Sequence, residues 1–377
     1  MADPDRPTRI TLLDTLRGVA TLGILWMNVV SFGLVEGAYY NVSLGGADTP
    51  LAHAVGIAGE VFFDQKMMAL FSMLFGAGIV LFAERVEARG GRALWRSLWR
   101  NLLLLGIGAV HAVLWVGDIL SVYAICAPGL LLLRRRSDRT LLAVSAVAWA
   151  LVVALPFAMQ RLVPLTPEAL GGVWFAGAVG GGPDADLVTL SIVADVFLRA
   201  FGAMTLGMVL YRSGALTGAW STAAYRRMAA IGCGLGLPLA AAGTAWVVSS
   251  GYDPRLAFVG GVPNAIATVP VALGYLGLVA LFDRRAVTWW HERLRAVGRT
   301  ALTNYLAQTV ISLLVLRVLV DRGTFDRAEL VVFVLGVQLT QLVVSHAWLQ
   351  QFRQGPVEAL WRRVTWWGPR PRGATST

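Results

Sequence analysis

The stretch from residue 10 to residue 33, ITLLDTLRGVATLGILWMNVVSFG, constrains the fold most, because it is long enough to cross a bilayer and yet carries polar groups. About 20 apolar residues, at a rise of about 1.5 Å each, cover the ~30 Å hydrocarbon core. Asp14, Arg17 and Asn28 lie inside this length, where an ionisable side chain usually faces protein or a wet cavity. The stretch therefore predicts a transmembrane helix whose polar stripe points into the protein.

Similar apolar runs recur along the whole chain, which has 377 residues, 56% of them hydrophobic and 14% charged. Soluble domains usually contain about 25% charged residues. We therefore predict an all-α polytopic integral membrane protein that forms a single transmembrane domain over residues 1–377, with a basic cytoplasmic tail at 350–377. About ten helices are predicted to span the membrane: 10–33, 66–83, 101–116, 118–133, 140–159, 187–211, 228–249, 263–282, 300–320 and 328–349.

Basic residues predict the topology, because cytoplasmic loops carry an excess of Lys and Arg. Most of the 32 basic residues lie before the first span (Arg6 and Arg9), in alternate connections, or in the tail. Both termini are therefore predicted to be cytoplasmic, in a multi-pass protein of the bacterial cytoplasmic (inner) membrane. This placement explains the net charge of +10 without nucleic acid as a partner. The Trp-containing basic segments 84–100 and 283–299 predict interfacial amphipathic helices that contact membrane lipids, and 161–186 predicts a Gly/Pro-rich loop.

The string HAVLWVGDIL contains the strongest candidate for acid–base chemistry. His111 and Asp118 are seven residues apart, and a turn at Gly117 would still leave the carboxylate close to the imidazole. A neutral histidine oriented by a carboxylate is a common general base. The alternative is structural, with His111 satisfied by its neighbours and Asp118 capping the next helix.

Further polar residues lie in two other apolar runs. Lys66 is the only lysine of the chain, and the run from 51 to 83 breaks near it, so a short outer helix or re-entrant piece is predicted before the span. Lys66 can bind an anionic group or extend to the interface. In GRTALTNYLAQTVIS, Asn304 and Gln308 form a stripe beside Tyr305; these residues can bind substrate or form hydrogen bonds between helices.

The sequence predicts neither a disulfide nor a metal site. Cys126 and Cys233 both lie in apolar runs. His53, His291 and His346 have no partner at a recognisable metal-binding spacing. We therefore expect no metal cofactor.

Five strings distributed over the chain resemble the bacterial YeiB family of membrane proteins. They are LLDTLRGVATLGILWMN, KMMALFSMLFGAG, HAVLWVGDILSVYA, GRTALTNYLAQTVIS and FRQGPVEALWRRVT. The resemblance covers essentially the whole chain in order. The family is largely uncharacterised, so it implies a membrane protein but no reaction.

The LDTLRG opening is also distantly similar to heparan-α-glucosaminide N-acetyltransferase and to acyltransferase-3 proteins, which carry an acyl group across a membrane to a sugar. Acyltransferase-3 proteins typically have a catalytic histidine eleven positions after this arginine. Here that position is Asn28, as in the heparan-type opening. Because asparagine cannot act as a general base, the resemblance implies a base elsewhere: His111, with His53 as the reserve.

We therefore favour a membrane acyltransferase that moves an acyl group from acyl-CoA, such as acetyl-CoA, to a glycan or small-molecule acceptor. In this hypothesis His111 and Asp118 are catalytic, and cytoplasmic arginines bind the CoA phosphates. Substrate or oxyanion binding is assigned to Asp14, Arg17, Asn28, Lys66, Asn304, Tyr305 and Gln308. The rival is a transporter or exporter that uses the intramembrane polar residues as its pathway. A third alternative is an accessory protein, and a homo-oligomer is compatible with each.

Overall fold

A computed structural model describes residues 10–162, 167–176 and 183–366, and these residues form α-helices and no strand. Arg6, Arg9 and residues 367–377 of the predicted tail lie outside the described residues. In the first half of the chain the helices are α1 (Thr11–Gly33), α2 (Pro50–Phe62), α3 (Lys66–Glu87), α4 (Ala93–Leu114), α5 (Leu120–Leu133), α6 (Asp138–Leu162) and α7 (Pro167–Ala176). In the second half they are α8 (Pro183–Arg212), α9 (Thr222–Ser249), α10 (Val262–Asp283), α11 (Trp289–Arg299), α12 (Ala301–Leu313), α13 (Arg327–Gln351) and α14 (Pro356–Thr365).

Nine helical segments of the described residues are long and apolar enough to cross a membrane. They are built on α1, α2 with α3, α4, α6, α8, α9, α10, α12 and α13. This confirms the prediction of an all-α polytopic membrane protein. The predicted span 118–133 corresponds to α5, whose 14 residues reach only about 21 Å.

Two connections differ from the prediction. The basic segment 84–100 is not a separate interfacial helix, because α3 continues to Glu87 and α4 already begins at Ala93. Gly90, with a φ of 69°, allows the tight turn between them. The predicted loop 161–186 contains α7 in its described part.

Helix α1 occupies the centre of the bundle and contacts α3, α10, α11, α12 and α13. Leu16 and Leu25 of α1 are fully buried, and Leu16 belongs to the same apolar cluster as Leu70 and Met73 of α3. Burying large apolar side chains contributes roughly 1.5–3 kcal/mol each. Central packing explains how α1 can carry Asp14 and Arg17 without exposing both to lipid.

Helices α1 and α11 approach closely because both contribute glycine at their crossing. A Cβ atom on Gly298 would lie 1.8 Å from the Asp14 carbonyl oxygen, and one on Gly18 would lie 2.1 Å from the Leu294 carbonyl oxygen. Both contacts are to backbone, which cannot rotate away. The crossing therefore requires glycine at both positions.

We expect Gly298→Ala to lower the free energy of unfolding by about 2–3 kcal/mol, because the added methyl group forces α1 and α11 apart. Thermal unfolding of the detergent-solubilised protein measures this loss. Gly336→Ala in α13 is the matched control, since no atom lies within 4 Å of its added Cβ. Equal melting temperatures for the two variants would contradict the close approach.

Helix α14 packs against the start of α12. This contact joins two of the sequence strings that resemble the YeiB family, FRQGPVEALWRRVT and GRTALTNYLAQTVIS. Glu358 accepts hydrogen bonds from the Thr303 backbone nitrogen (3.0 Å) and the Thr303 hydroxyl (2.5 Å). A Cβ atom on Gly355 would lie 2.1 Å from the Glu358 carboxylate. The FRQGPVE and GRTALTNY strings thus form one contact.

Candidate functional site

The predicted pair His111 and Asp118 forms a short hydrogen bond, with 2.7 Å between His111 Nδ1 and Asp118 Oδ1. Both side chains are buried. Asp118 also accepts hydrogen bonds from the backbone nitrogens of Leu120 (3.1 Å) and Ser121 (2.8 Å) at the start of α5. The sequence left two roles for Asp118 as alternatives. In the structure its carboxylate has both: it orients the His111 imidazole and it caps α5.

The second imidazole nitrogen contacts Thr309, a residue that the sequence analysis missed. His111 Nε2 lies 2.9 Å from the Thr309 hydroxyl oxygen, and Thr309 is buried in α12. Because the Asp118 carboxylate accepts, His111 Nδ1 is assigned the proton and Nε2 accepts from Thr309. Hydroxyl, imidazole and carboxylate thus form one chain of hydrogen bonds. The only sequence signal was that Thr309 follows Tyr305 by one helical turn.

Tyr305 lies between this chain of hydrogen bonds and an internal cavity. Its ring centroid is 5.1 Å from that of His111, and its side chain lines the cavity. Tyr305 is only 4% exposed, and its hydroxyl proton has no acceptor among the residues that the structure describes, while the Ile119 backbone N–H lies close to the hydroxyl oxygen. A buried donor without an acceptor costs about 1–3 kcal/mol, so Tyr305 is well placed to donate to a bound ligand.

The cavity has a volume of about 250 Å³. Arg17, Arg100 and Arg299 line it at helix ends that the basic-residue bias predicts to be cytoplasmic, and one carboxylate, that of Glu358, also lines it and bonds to Thr303. Apolar side chains of α3 and α4 line its middle, and Tyr123 and Tyr305 line it towards the α4–α5 turn. A cationic entrance that leads to an apolar interior suits an amphiphilic anion.

Arg100 is the most suggestive of the three cations. Its guanidinium carbon lies 4.5 Å from the Phe82 ring centroid and 4.4 Å from that of Trp361. None of the described carboxylates lies within ion-pair distance of it. Arg17, by contrast, contacts Asp14 at 3.2 Å, as its spacing predicts. The two aromatic rings therefore orient a cationic group whose charge is available to an anion.

Asn304 and Gln308 form hydrogen bonds between helices and do not line the cavity. Asn304 Nδ2 donates to Ser345 of α13 (2.9 Å), and Gln308 Nε2 donates to the Thr21 carbonyl of α1 (3.0 Å) and to Gln341 of α13 (3.0 Å). These bonds match the packing alternative for this stripe.

Lys66 lies in a separate buried cluster near the opposite end of α3. Its Nζ donates to the Glu60 carbonyl oxygen (2.6 Å) and contacts the Asn264 amide oxygen. The Asn264 amide nitrogen in turn donates to Asp64 (2.8 Å). Because Lys66 is fully buried, the alternative in which it extends to the interface is wrong.

The break between α2 and α3 runs through this cluster. Gln65 has a φ of 60°, in a region that non-glycine residues seldom occupy. Tyr39, in the connection after α1, donates to Asp64 at 3.0 Å. Burial and the nearby carboxylates of Asp64 and Glu60 raise the pKa of Tyr39 well above 10, so its hydroxyl stays protonated and donates.

The remaining candidates do not join the cavity. Asn28 is half-buried and its side chain forms no hydrogen bond with the described residues, and His53 lies on α2. Within the described ranges no group of three or more His, Cys, Asp or Glu side chains is arranged to hold a metal ion. Of the predicted site residues, Arg17 and Tyr305 therefore line the cavity. Arg100 and Arg299 line it as well, although they were not among the predicted site residues.

Comparison with known proteins gives uncharacterised relatives. Residues 210–368 match a family described as a protein of unknown function, DUF418. The chain is 34% identical to the uncharacterized protein YeiB of Escherichia coli, over 95% of this chain and 96% of that protein. It is 29% identical to the uncharacterized protein YxaH of Bacillus subtilis, over 96% of each chain.

Proposed function

The chain belongs to the YeiB family, and we propose that it is a membrane acyltransferase that moves an acyl group from acyl-CoA to a hydroxyl or amine of a cell-envelope or small-molecule acceptor. One observation carries the proposal. The cavity has cationic residues at its entrance and, at its inner end, the Tyr305 hydroxyl, whose proton has no acceptor among the described residues; the pair of His111 and Asp118 lies behind the Tyr305 ring.

An acyl-CoA suits both ends of this cavity. Its phosphates would interact with arginines on the predicted cytoplasmic side of a bacterial inner membrane, where acyl-CoA is available. Its uncharged arm would lie along the apolar middle and bring the thioester to Tyr305. The Tyr305 hydroxyl would donate to the carbonyl oxygen as negative charge develops there, which is a task for a fixed donor.

The acceptor proton would leave through the Thr309–His111–Asp118 chain of hydrogen bonds. As the acceptor oxygen or nitrogen attacks the thioester carbon, its proton passes to the Thr309 oxygen while the Thr309 proton passes to His111 Nε2. The C–S bond then breaks, and the CoA thiolate takes up the proton that His111 had accepted, which returns the imidazole to its neutral form. Asp118 stabilises the imidazolium that forms.

We expect Arg100→Ala to weaken acetyl-CoA binding by about tenfold, because a charge-assisted bond contributes roughly 1.5 kcal/mol or more. Isothermal titration into detergent-solubilised protein measures the dissociation constant. Arg255→Ala is the control, since that side chain is 88% exposed and does not line the cavity. Failure of the well-folded wild-type protein to bind any acyl-CoA would overturn the proposed function.

Transport is the second candidate, and the broken helix between α2 and α3 favours it. Interrupted helices with buried polar groups form the substrate sites of many transporters. Here the break contains Asp64, Gln65 and Lys66. Release of free CoA thiol from acetyl-CoA would support the transferase, whereas solute flux into proteoliposomes without thiol release would support the transporter.

A further inference from the structure

A second concave surface lies on the opposite side of α14 from the cavity. This groove is bordered by the ends of α3 and α13 and by α14, and it encloses about 560 Å³. The groove is widely open to solvent, so a bulky polar group can enter it directly. The residues that matter for recognition are Arg89, Arg353, Arg362, Arg363, Phe352 and Trp366.

The groove combines positive charge with exposed aromatic rings. All four arginines are exposed, the groove lining contains no acidic residue, and none of the four forms an ion pair with a described carboxylate. Phe352 stacks on Trp348 with 4.2 Å between centroids and remains 48% exposed. Arginines bind phosphate oxygens and aromatic rings stack on bases, so this combination suits a phosphorylated nucleotide.

The groove adjoins the cavity entrance through one hydrogen bond. Arg299 lines the cavity, and its guanidinium donates to the carbonyl oxygen of Arg353, which lines the groove, at 2.9 Å. Helix α14 lies between the two spaces, with Trp361 lining the cavity and Arg362 lining the groove. The cavity entrance and the groove are therefore neighbours on either side of α14.

The small size of the cavity limits which part of a ligand it can hold. Its volume of about 250 Å³ is below the usual range for a whole drug-sized ligand. A nucleotide with a long acylated arm must therefore leave its nucleotide outside. We propose that the groove binds the adenosine 3′,5′-bisphosphate part of the acyl-CoA, while the outer phosphate of its diphosphate reaches the arginines at the cavity entrance and the cavity holds the thioester arm; this inference rests on the proposed function.

The test is titration with adenosine 3′,5′-bisphosphate, which lacks the outer phosphate of the CoA diphosphate and the arm, alongside acetyl-CoA. We expect Arg362→Ala/Arg363→Ala to weaken binding of both probes by about tenfold or more, because charge-assisted phosphate contacts are lost. Arg226→Ala/Arg227→Ala, another exposed adjacent pair, is the matched control and should bind both like the wild-type protein. Arg100→Ala should weaken acetyl-CoA binding and leave bisphosphate binding unchanged.

The outcomes separate the two proposals. If acetyl-CoA binds the wild-type protein and the Arg362→Ala/Arg363→Ala variant equally, the groove is not the nucleotide site and the proposed function stands. If that variant loses only bound anionic phospholipid, measured by native mass spectrometry, the groove is a lipid headgroup site and the inference is overturned. If acetyl-CoA does not bind the wild-type protein, both proposals fail.

Discussion

Replacing Asp118 with asparagine is expected to lower acyl transfer by about 10²–10⁴-fold, because general-base catalysis contributes about that much. The amide keeps the size of the side chain but removes the charge that would stabilise a His111 imidazolium. It also presents an N–H group where Asp118 now accepts hydrogen bonds from Leu120 and Ser121. Release of CoA thiol from acetyl-CoA with an envelope extract as acceptor source measures the turnover.

Asp326→Asn is the matched control for this variant. Asp326 also caps a helix, since it accepts a hydrogen bond from the Glu329 backbone nitrogen at 2.8 Å. Asparagine caps a helix about as well as aspartate, so neither variant should lose much stability through its cap, and only Asp118→Asn should lose turnover. If Asp118→Asn keeps turnover within about threefold of wild type, the pair of His111 and Asp118 is structural.

Lys66→Met is expected to destabilise the protein by about 3–5 kcal/mol, because removing one charge from a buried polar cluster leaves its partners uncompensated. Methionine has a similar length but cannot donate to the Glu60 carbonyl or to Asn264. The buried Asp64 carboxylate, which accepts a hydrogen bond from Asn264, would then have lost the positive charge of Lys66 that compensates it. Thermal unfolding in detergent measures the loss.

The double variant Lys66→Met/Asp64→Asn distinguishes charge from packing. Removing both charges should restore part of the stability, because no uncompensated carboxylate remains. Arg255→Met, which changes an exposed cation, should have no effect on unfolding. A double variant that is less stable than Lys66→Met would contradict the role of charge balance.

Local spacing was sufficient to predict the contacts made within a helix or across one turn. Asp14 and Arg17 meet because residues three apart share a helix face, and His111 meets Asp118 because Gly117 keeps the turn short. The break beside Lys66 is likewise visible as charge within an apolar run. Each of these depends only on residues close in the chain.

The cavity and the partner of His111 depend on helix packing, which one sequence does not specify. Thr309 contacts His111 although the two residues are 198 positions apart. The Trp361 indole donates to the backbone carbonyl of Arg100 across 261 positions. Nothing in the local pattern selects these partners over the other Thr and Trp residues. Similarly, the amides of Asn304 and Gln308 could serve a ligand or a neighbouring helix, and only packing places them against α13.

The short length of α5 has a consequence for the surrounding lipid. Helix α5 is too short to cross a full ~30 Å core, yet Val113 and Val116 beside the turn of the α4–α5 hairpin are 86% and 97% exposed. Acyl chains that cover these valines must thin around the hairpin, which is a local hydrophobic mismatch. The strain of that thinning acts on the turn that carries Asp118. Membranes with shorter or more disordered lipid chains should therefore relax this turn, which would couple the proposed chemistry to bilayer thickness.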